Sequence, residues 1–142
     1  MALTSVTESA IALFRQGRLA EALSLFEQTL AARQVQLGES HPDTLSSRNN
    51  LAWAYQQAGR LDEAIPLYER TLADRERVLG AAHPDTLLSR NNLAWGYQAA
   101  GRRAEAIPLF KSALAGLEAA LGPDHPQARL ARANLEHVDA EA

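Results

Sequence analysis

The chain has no cysteine, which excludes disulfides, thiolate catalysis and cysteine-based zinc sites. Lysine is nearly missing as well: Lys111 is the single one, so arginine carries almost all of the positive charge. Lys and Arg together number 14 against 17 Asp and Glu, a net charge of −3 with both signs interspersed. No basic face is available for a nucleic-acid backbone, and no polybasic run for anionic lipid. Aromatic residues are few, and no apolar stretch approaches the ~20 residues that a membrane-spanning helix needs. The opening MALTSVTESAIALF lacks the basic start and long apolar run of a secretory signal. These absences leave a soluble chain expected in the cytoplasm, with neither nucleic acid nor membrane as a partner. What is present, 46% apolar residues rich in Ala and Leu, suits an all-helical protein.

The dominant positive feature is a repeat with a period of 42 residues. The string from Thr44 to Asp85 returns from Thr86 to Gln127 with 26 of 42 positions identical. Upstream, Ala2 to Asp43 matches the first string at 20 positions, 16 of them after Arg15. A partial copy, ARLARANLEHV, opens at Ala128. Periods of this size signal stacked units, none of which buries its own apolar face alone. The function of such a chain lies on the surface that stacking creates. One domain, 1–142, is expected, with units near 2–43, 44–85 and 86–127 and a capping helix at 128–142.

Each unit reads as two helices separated by punctuation. Leu51, Ala52 and Tyr55 form one helical stripe, and Leu61, Ala64, Ile65, Tyr68, Leu72 and Leu79 form the next. Gly17, Gly59 and Gly101 hold the turn inside each unit, and Gly38, Gly80 and Gly122 the turn between units, where a left-handed cap is expected. Pro after His41, His83 and His125 is preorganised for a first helical turn. Seven helices follow, near 4–16, 19–37, 42–58, 61–79, 84–100, 103–121 and 126–139. Ala22, Ala64 and Ala106 recur opposite Ala10, Ala52 and Ala94, allowing close helix approach. Phe26, Tyr68 and Phe110 then fill the space between hairpins. Pro66 and Pro108 fit only if they sit in a first turn, where few intrahelical donors exist to be lost, so those helices are expected to start near 62 and 104.

Leu51, Ala52, Tyr55, Gly59, Ala64 and Tyr68, and again Leu93, Ala94, Tyr97, Gly101, Ala106 and Phe110, resemble the tetratricopeptide repeat. That family usually repeats every 34 residues. The longer unit here, with NNLA in the first helix and LG then HP between units, looks like the repeats of kinesin light chain and of bacterial arrays of the same type. The resemblance implies an all-α fold, an α-solenoid of three helical hairpins plus a C-terminal capping helix. It also implies protein and peptide binding without naming a ligand.

Both ends depart from the pattern. Val6, Thr7 and Glu8 replace the Arg-Asn-Asn run, while Glu136 and His137 stand where Ala52 and Trp53 pack. A solenoid needs polar outer faces on its terminal units. Both ends are therefore expected to act as caps, on a chain that ends where the repeat ends.

The stripe holding Leu51 and Tyr55 faces the core, so Asn49, Trp53 and Gln56 share another face, repeated as Asn91, Trp95 and Gln98. By resemblance that face lines the concave groove, where Trp offers flat contact area and Asn can pair with both N–H and C=O of an extended peptide. The alternative is that Trp53 and Trp95 pack between neighbouring hairpins. Asn49 and Asn91 track the Trp, being lost together with it at Ala133, and so are the better ligand candidates. Asn50 and Asn92 persist as Asn134, which favours a structural role, although in the family that position also touches peptide backbone. A Lys-Arg clamp for a C-terminal carboxylate is unsupported, since no lysine lies on these first helices.

His41, His83 and His125 recur one per unit, too far apart for ligands that must lie ~2 Å from one metal, and are read as turn residues. Arg48, Arg90 and Arg132 face the previous hairpin, with Glu76 and Glu118 as partners in exposed pairs of less than ~1 kcal/mol. No catalytic triad, phosphate loop or metal motif is found, so neither an enzyme nor a cofactor is expected. The partner is a protein or peptide, with a self-assembling module that forms a homo-oligomer as the alternative.

Overall fold

The structure, a computed structural model, describes residues 3–140, with side chains placed from 7 to 139. Among them lie seven helices: α1 (Leu3–Arg15), α2 (Leu19–Leu37), α3 (Pro42–Gln57), α4 (Leu61–Leu79), α5 (Pro84–Ala99), α6 (Arg103–Leu121) and α7 (Pro126–Ala140), with no strand. No helix end differs from its expected place by more than one residue. The chain divides into two compact units, 1–67 and 68–142, with the boundary inside α4. In the first unit α1 packs on α2 and α2 on α3; in the second α5 packs on α6 and α6 on α7.

The turns inside the hairpins are complete Schellman motifs. Arg60 N donates to Tyr55 O at 2.8 Å and Gly59 N to Gln56 O at 3.0 Å, so two orphan carbonyls at the end of α3 are satisfied. Gly59 takes φ 78°, which only glycine adopts without steric cost. The turns between hairpins differ from the left-handed cap expected. Gly38 has φ 90° and ψ 165°, a region essentially reserved for glycine, and it straightens the chain toward the next helix.

The three histidines prove to be helix caps. His41 Nδ1 accepts the N–H of Asp43 at 3.0 Å, His83 Nδ1 that of Asp85 at 3.0 Å, and His125 Nδ1 that of Gln127 at 3.1 Å. Each ring thus satisfies one of the first free N–H groups of α3, α5 or α7.

The prolines correct one expectation. α4 and α6 begin at Leu61 and Arg103, so Pro66 and Pro108 are sixth residues, in the second turn. Only one intrahelical donor is lost there, and the carbonyl four residues back belongs to the first turn, where the helix yields most easily.

Small and large residues alternate in the core as expected. Ala10, Ala22, Ala52, Ala64, Ala94 and Ala106 are all fully buried, and Phe26, Tyr68 and Phe110 nearly so. Polar seams separate some helices. Arg33 Nη1 donates to Ser47 Oγ at 2.6 Å while Thr44 Oγ1 donates to Arg33 O at 3.3 Å. Arg75, Ser89 and Thr86 repeat this at 2.7 and 3.3 Å. One period on, the three positions become Leu117, Ala131 and Ala128, which pack with Leu87 into an apolar cluster. Arg48 corrects the reading of exposed arginines: it is 0% exposed, because the chain after Gly38 folds over it and Glu39 Oε2 accepts from its Nη2 at 3.0 Å. Arg132 does form the expected open pair with Glu118, at 3.2 Å.

Candidate functional site

In the first unit a cleft of about 610 Å³ opens, lined by Ile11, Phe14, Arg15, Phe26, Asn50 and Trp53. Its size falls within the ~300–1,000 Å³ of ordinary ligand pockets. Trp53, on α3, remains 37% exposed. Its ring tilts by 45° against Phe14 of α1 at 4.9 Å between centroids, so the two side chains brace each other on the cleft wall. Phe26 of α2 is nearly buried, so it presents part of a ring as a floor. Asn50 stands three residues before Trp53, one helical turn away, and brings an amide to the apolar wall. Arg15, exposed at the end of α1, brings the one formal charge among the lining residues.

The sequence-derived residues do not all gather here. Asn49 and Gln56 are half-buried, and each is already engaged by another group of the protein. Asn50, read as the more structural asparagine, is the one that lines the cleft. Next along α3, Tyr55 is buried and donates its hydroxyl to Glu27 Oε1 at 3.2 Å. Burial and then Glu27 push its phenol up from the ordinary value, so Tyr55 is a neutral strut of the scaffold.

In the second unit Trp95 is half-buried and packed. It meets Phe110 edge-on at 5.1 Å and 79°, and lies 6.1 Å from the His137 ring of α7. Asn91, one turn earlier, is only 8% exposed, and its Oδ1 accepts no hydrogen bond among the described residues. A buried carbonyl oxygen without a donor is costly, and this one lies out of reach of solvent on α5. Asn92 and Gln98 are half-buried and engaged.

The cleft wall from α1 is what the sequence reading missed. The signal was present: Ile11 stands where the later units carry Trp, and Phe14 where they carry Gln56 and Gln98. No group of three or more His, Asp or Glu able to hold a metal is found among the described residues. No helix among them is long and apolar enough to cross a membrane.

The family profile described as "Tetratricopeptide repeat" matches residues 1–76 and again 54–119. Among solved structures, the nearly identical tetratricopeptide-like repeats ascribed to a kinesin light chain of Podosopora anserina are 34% identical, with a TM-score of 0.87. That match covers 96% of this chain and 64% of the other. A substituted form of the same protein gives 32% identity, a TM-score of 0.87 and the same coverage. BtubC (BKLC) from P. vanneervenii shares the fold at 19% identity and a TM-score of 0.71, covering 98% of this chain and 63% of that one. The chain thus spans less than two thirds of the length of these structures. No protein of curated function matches it.

Proposed function

The chain belongs to the tetratricopeptide repeat family, whose repeats generally mediate protein–protein interaction, and from that premise we propose that it is a peptide- and protein-binding scaffold module of the cytoplasm. The observation that carries the reading is Trp53, a large ring left 37% exposed in an apolar cleft. Aromatic anchors in such pockets supply most of the energy of a typical interface. Asn50 adds hydrogen bonding beside the ring, and Asn91 supplies a buried acceptor on the equivalent helix of the second unit. Asn49, Gln56, Asn92, Trp95 and Gln98 complete the two inner faces and act mainly by holding their shape. Residues 1–142 work as a single binding domain, without catalysis or cofactor.

Light scattering over a concentration series, combined with acrylamide quenching of tryptophan fluorescence, tests this against self-assembly. The proposal expects a monomer in which one of the two tryptophans is readily quenched. A stable oligomer that protects both tryptophans favours the self-assembling module instead.

A further inference from the structure

We infer that α1 is a mobile wall of the cleft, which docks and undocks as a unit while the other helices stay folded. A partner held in the cleft locks it in place, a regulation of that site that rests on the binding-module reading. The packing of α1 carries the motion. Ala10 is the one buried residue between positions 7 and 15. The equivalent stretches of α3, 49–57, and of α5, 91–99, bury four and five residues. One period on from Ser9 and Leu13 stand Leu51 and Tyr55, both buried. In α1 the serine is exposed and the leucine only half-buried. Two large anchors of the later helices are therefore missing from this one.

Open space flanks Ala10 on both sides. Residues of a helix advance by roughly 100° each, which puts Leu13 about 60° to one side of Ala10, and Phe14 and Ile11 about 40° and 100° to the other. Leu13 borders a hollow of about 400 Å³ shared with Ala20, Glu21, Ser24 and Leu25 of α2. Phe14 and Ile11 border the cleft of about 610 Å³. Between the two hollows α1 rests chiefly on an alanine methyl and on the Phe14 ring, 4.9 Å from that of Trp53.

Segments with little buried apolar surface open at a lower free energy than the whole fold. A helix of 13 residues is marginal on its own in water, so α1 unwinds when it leaves α2. The turn at 16–18, with Gly17 at φ 78°, absorbs the change in backbone direction. Opening also dismantles the cleft, because Ile11, Phe14 and Arg15 are three of its six lining residues. A partner that touches both walls binds only the docked form and draws α1 toward it.

Hydrogen exchange, resolved by segment with mass spectrometry, tests this on the purified chain, alone and with a peptide selected on it by phage display. In the free chain the amides of 8–15 should exchange at least about 10-fold faster than those of 49–57 and 91–99. Peptide at ten times its Kd should slow exchange in α1 by about 10-fold. The variant Glu8→Gly with Ala12→Gly weakens the helix at two exposed positions outside the cleft lining. It should speed exchange in α1 by about 10-fold and leave 91–99 unchanged. Equal rates in α1, α3 and α5 of the free chain overturn the inference, and so does a variant that speeds 91–99 as much as α1. A peptide that binds without slowing α1 overturns it as well, while the binding-module reading stands. Recovery of no peptide overturns both. If the variant does not fold, the parent rates with and without peptide decide.

Discussion

Arg102 holds its guanidinium carbon 4.4 Å from the ring centroid of Tyr97, and Arg60 repeats the contact over Tyr55 at 4.7 Å. The tyrosine ends one helix and the arginine opens the next, so the stacked pair supplies the side-chain contact that accompanies a Schellman turn. The pair belongs to a longer chain of contacts. Tyr97 donates to Glu69 Oε2 at 3.0 Å, and Arg102 forks onto both oxygens of Glu105 at 2.8 and 2.7 Å. In the first hairpin Leu13 replaces the tyrosine, and Arg18 keeps only its fork to Glu21.

Arg102→Ala should therefore lower stability slightly, as loss of an exposed cation–π contact does. Arg102→Lys should recover only part, since lysine lacks the planar fork. Urea titration followed by circular dichroism measures both, and an unchanged midpoint for Arg102→Ala would show that the stacking contributes nothing.

The phenols give a pH dependence with a definite sign. Burial, then the hydrogen bond to Glu69, push the Tyr97 value up from 10.0. The folded state thus favours the neutral phenol. Its contribution is complete below the unfolded value and is lost as pH rises through the higher folded value. Glu105 has the opposite sign. Its hydrogen bond from Arg102 holds it below the ordinary carboxylate value, so its contribution is present at neutral pH and fades as pH falls through the lowered value. Melting temperature should decline above about pH 10, and Tyr97→Phe should flatten that decline. Identical alkaline curves for parent and variant would remove Tyr97 from the account.

Much of the scaffold was legible because each signal occurs in several copies. Period, helix ends, glycine turns and the alternation of small alanines with large aromatics all follow from residues repeated every 42 positions. Arg48 was misread because burial depends on where the chain after Gly38 lies, which no helical stripe records. The cleft escaped the sequence for a related reason. It depends on Ile11 and Phe14, two departures from the repeat that no recurring stripe records. Trp53 and Trp95 are equivalent in sequence, yet one faces Ile11 and Phe14 and the other meets His137 and Phe110.

The seam that changes from polar to apolar offers a stability test. Leu117→Arg places a charge in the fully buried cluster with Ala128 and Ala131, and should cost about 3–5 kcal/mol, as for other uncompensated buried charges. Adding Ala131→Ser restores the acceptor that Arg33 and Arg75 use. A double-mutant cycle should show a favourable coupling of about 0.5–3 kcal/mol. A coupling near zero would mean that the Arg–Ser contact is incidental.

Gly116 is a close-approach residue within α6. A Cβ there would lie 2.5 Å from Leu87 Cδ2 and 2.9 Å from Cδ1. Helix propensity alone favours Gly116→Ala by about 1 kcal/mol, but overpacking typically costs ~1–3 kcal/mol. Since Leu87 is itself buried, the overpacking should win and the variant should melt at a lower temperature. Adding Leu87→Val, which removes both clashing atoms, should reverse the sign of the Gly116→Ala effect.

The central claim is that the two tryptophans have different roles, Trp53 as an anchor for a protein partner and Trp95 as packing. The most direct measurement compares Trp53→Ala with Trp95→Ala for binding, by titration calorimetry, to a peptide selected on the parent chain, alongside their melting curves. Trp53→Ala should weaken binding by about 2 kcal/mol or more and cost less stability than Trp95→Ala. Trp95→Ala should melt lower and, where still folded, retain most of the binding. Full binding by Trp53→Ala, or loss of binding only in Trp95→Ala, would contradict the account.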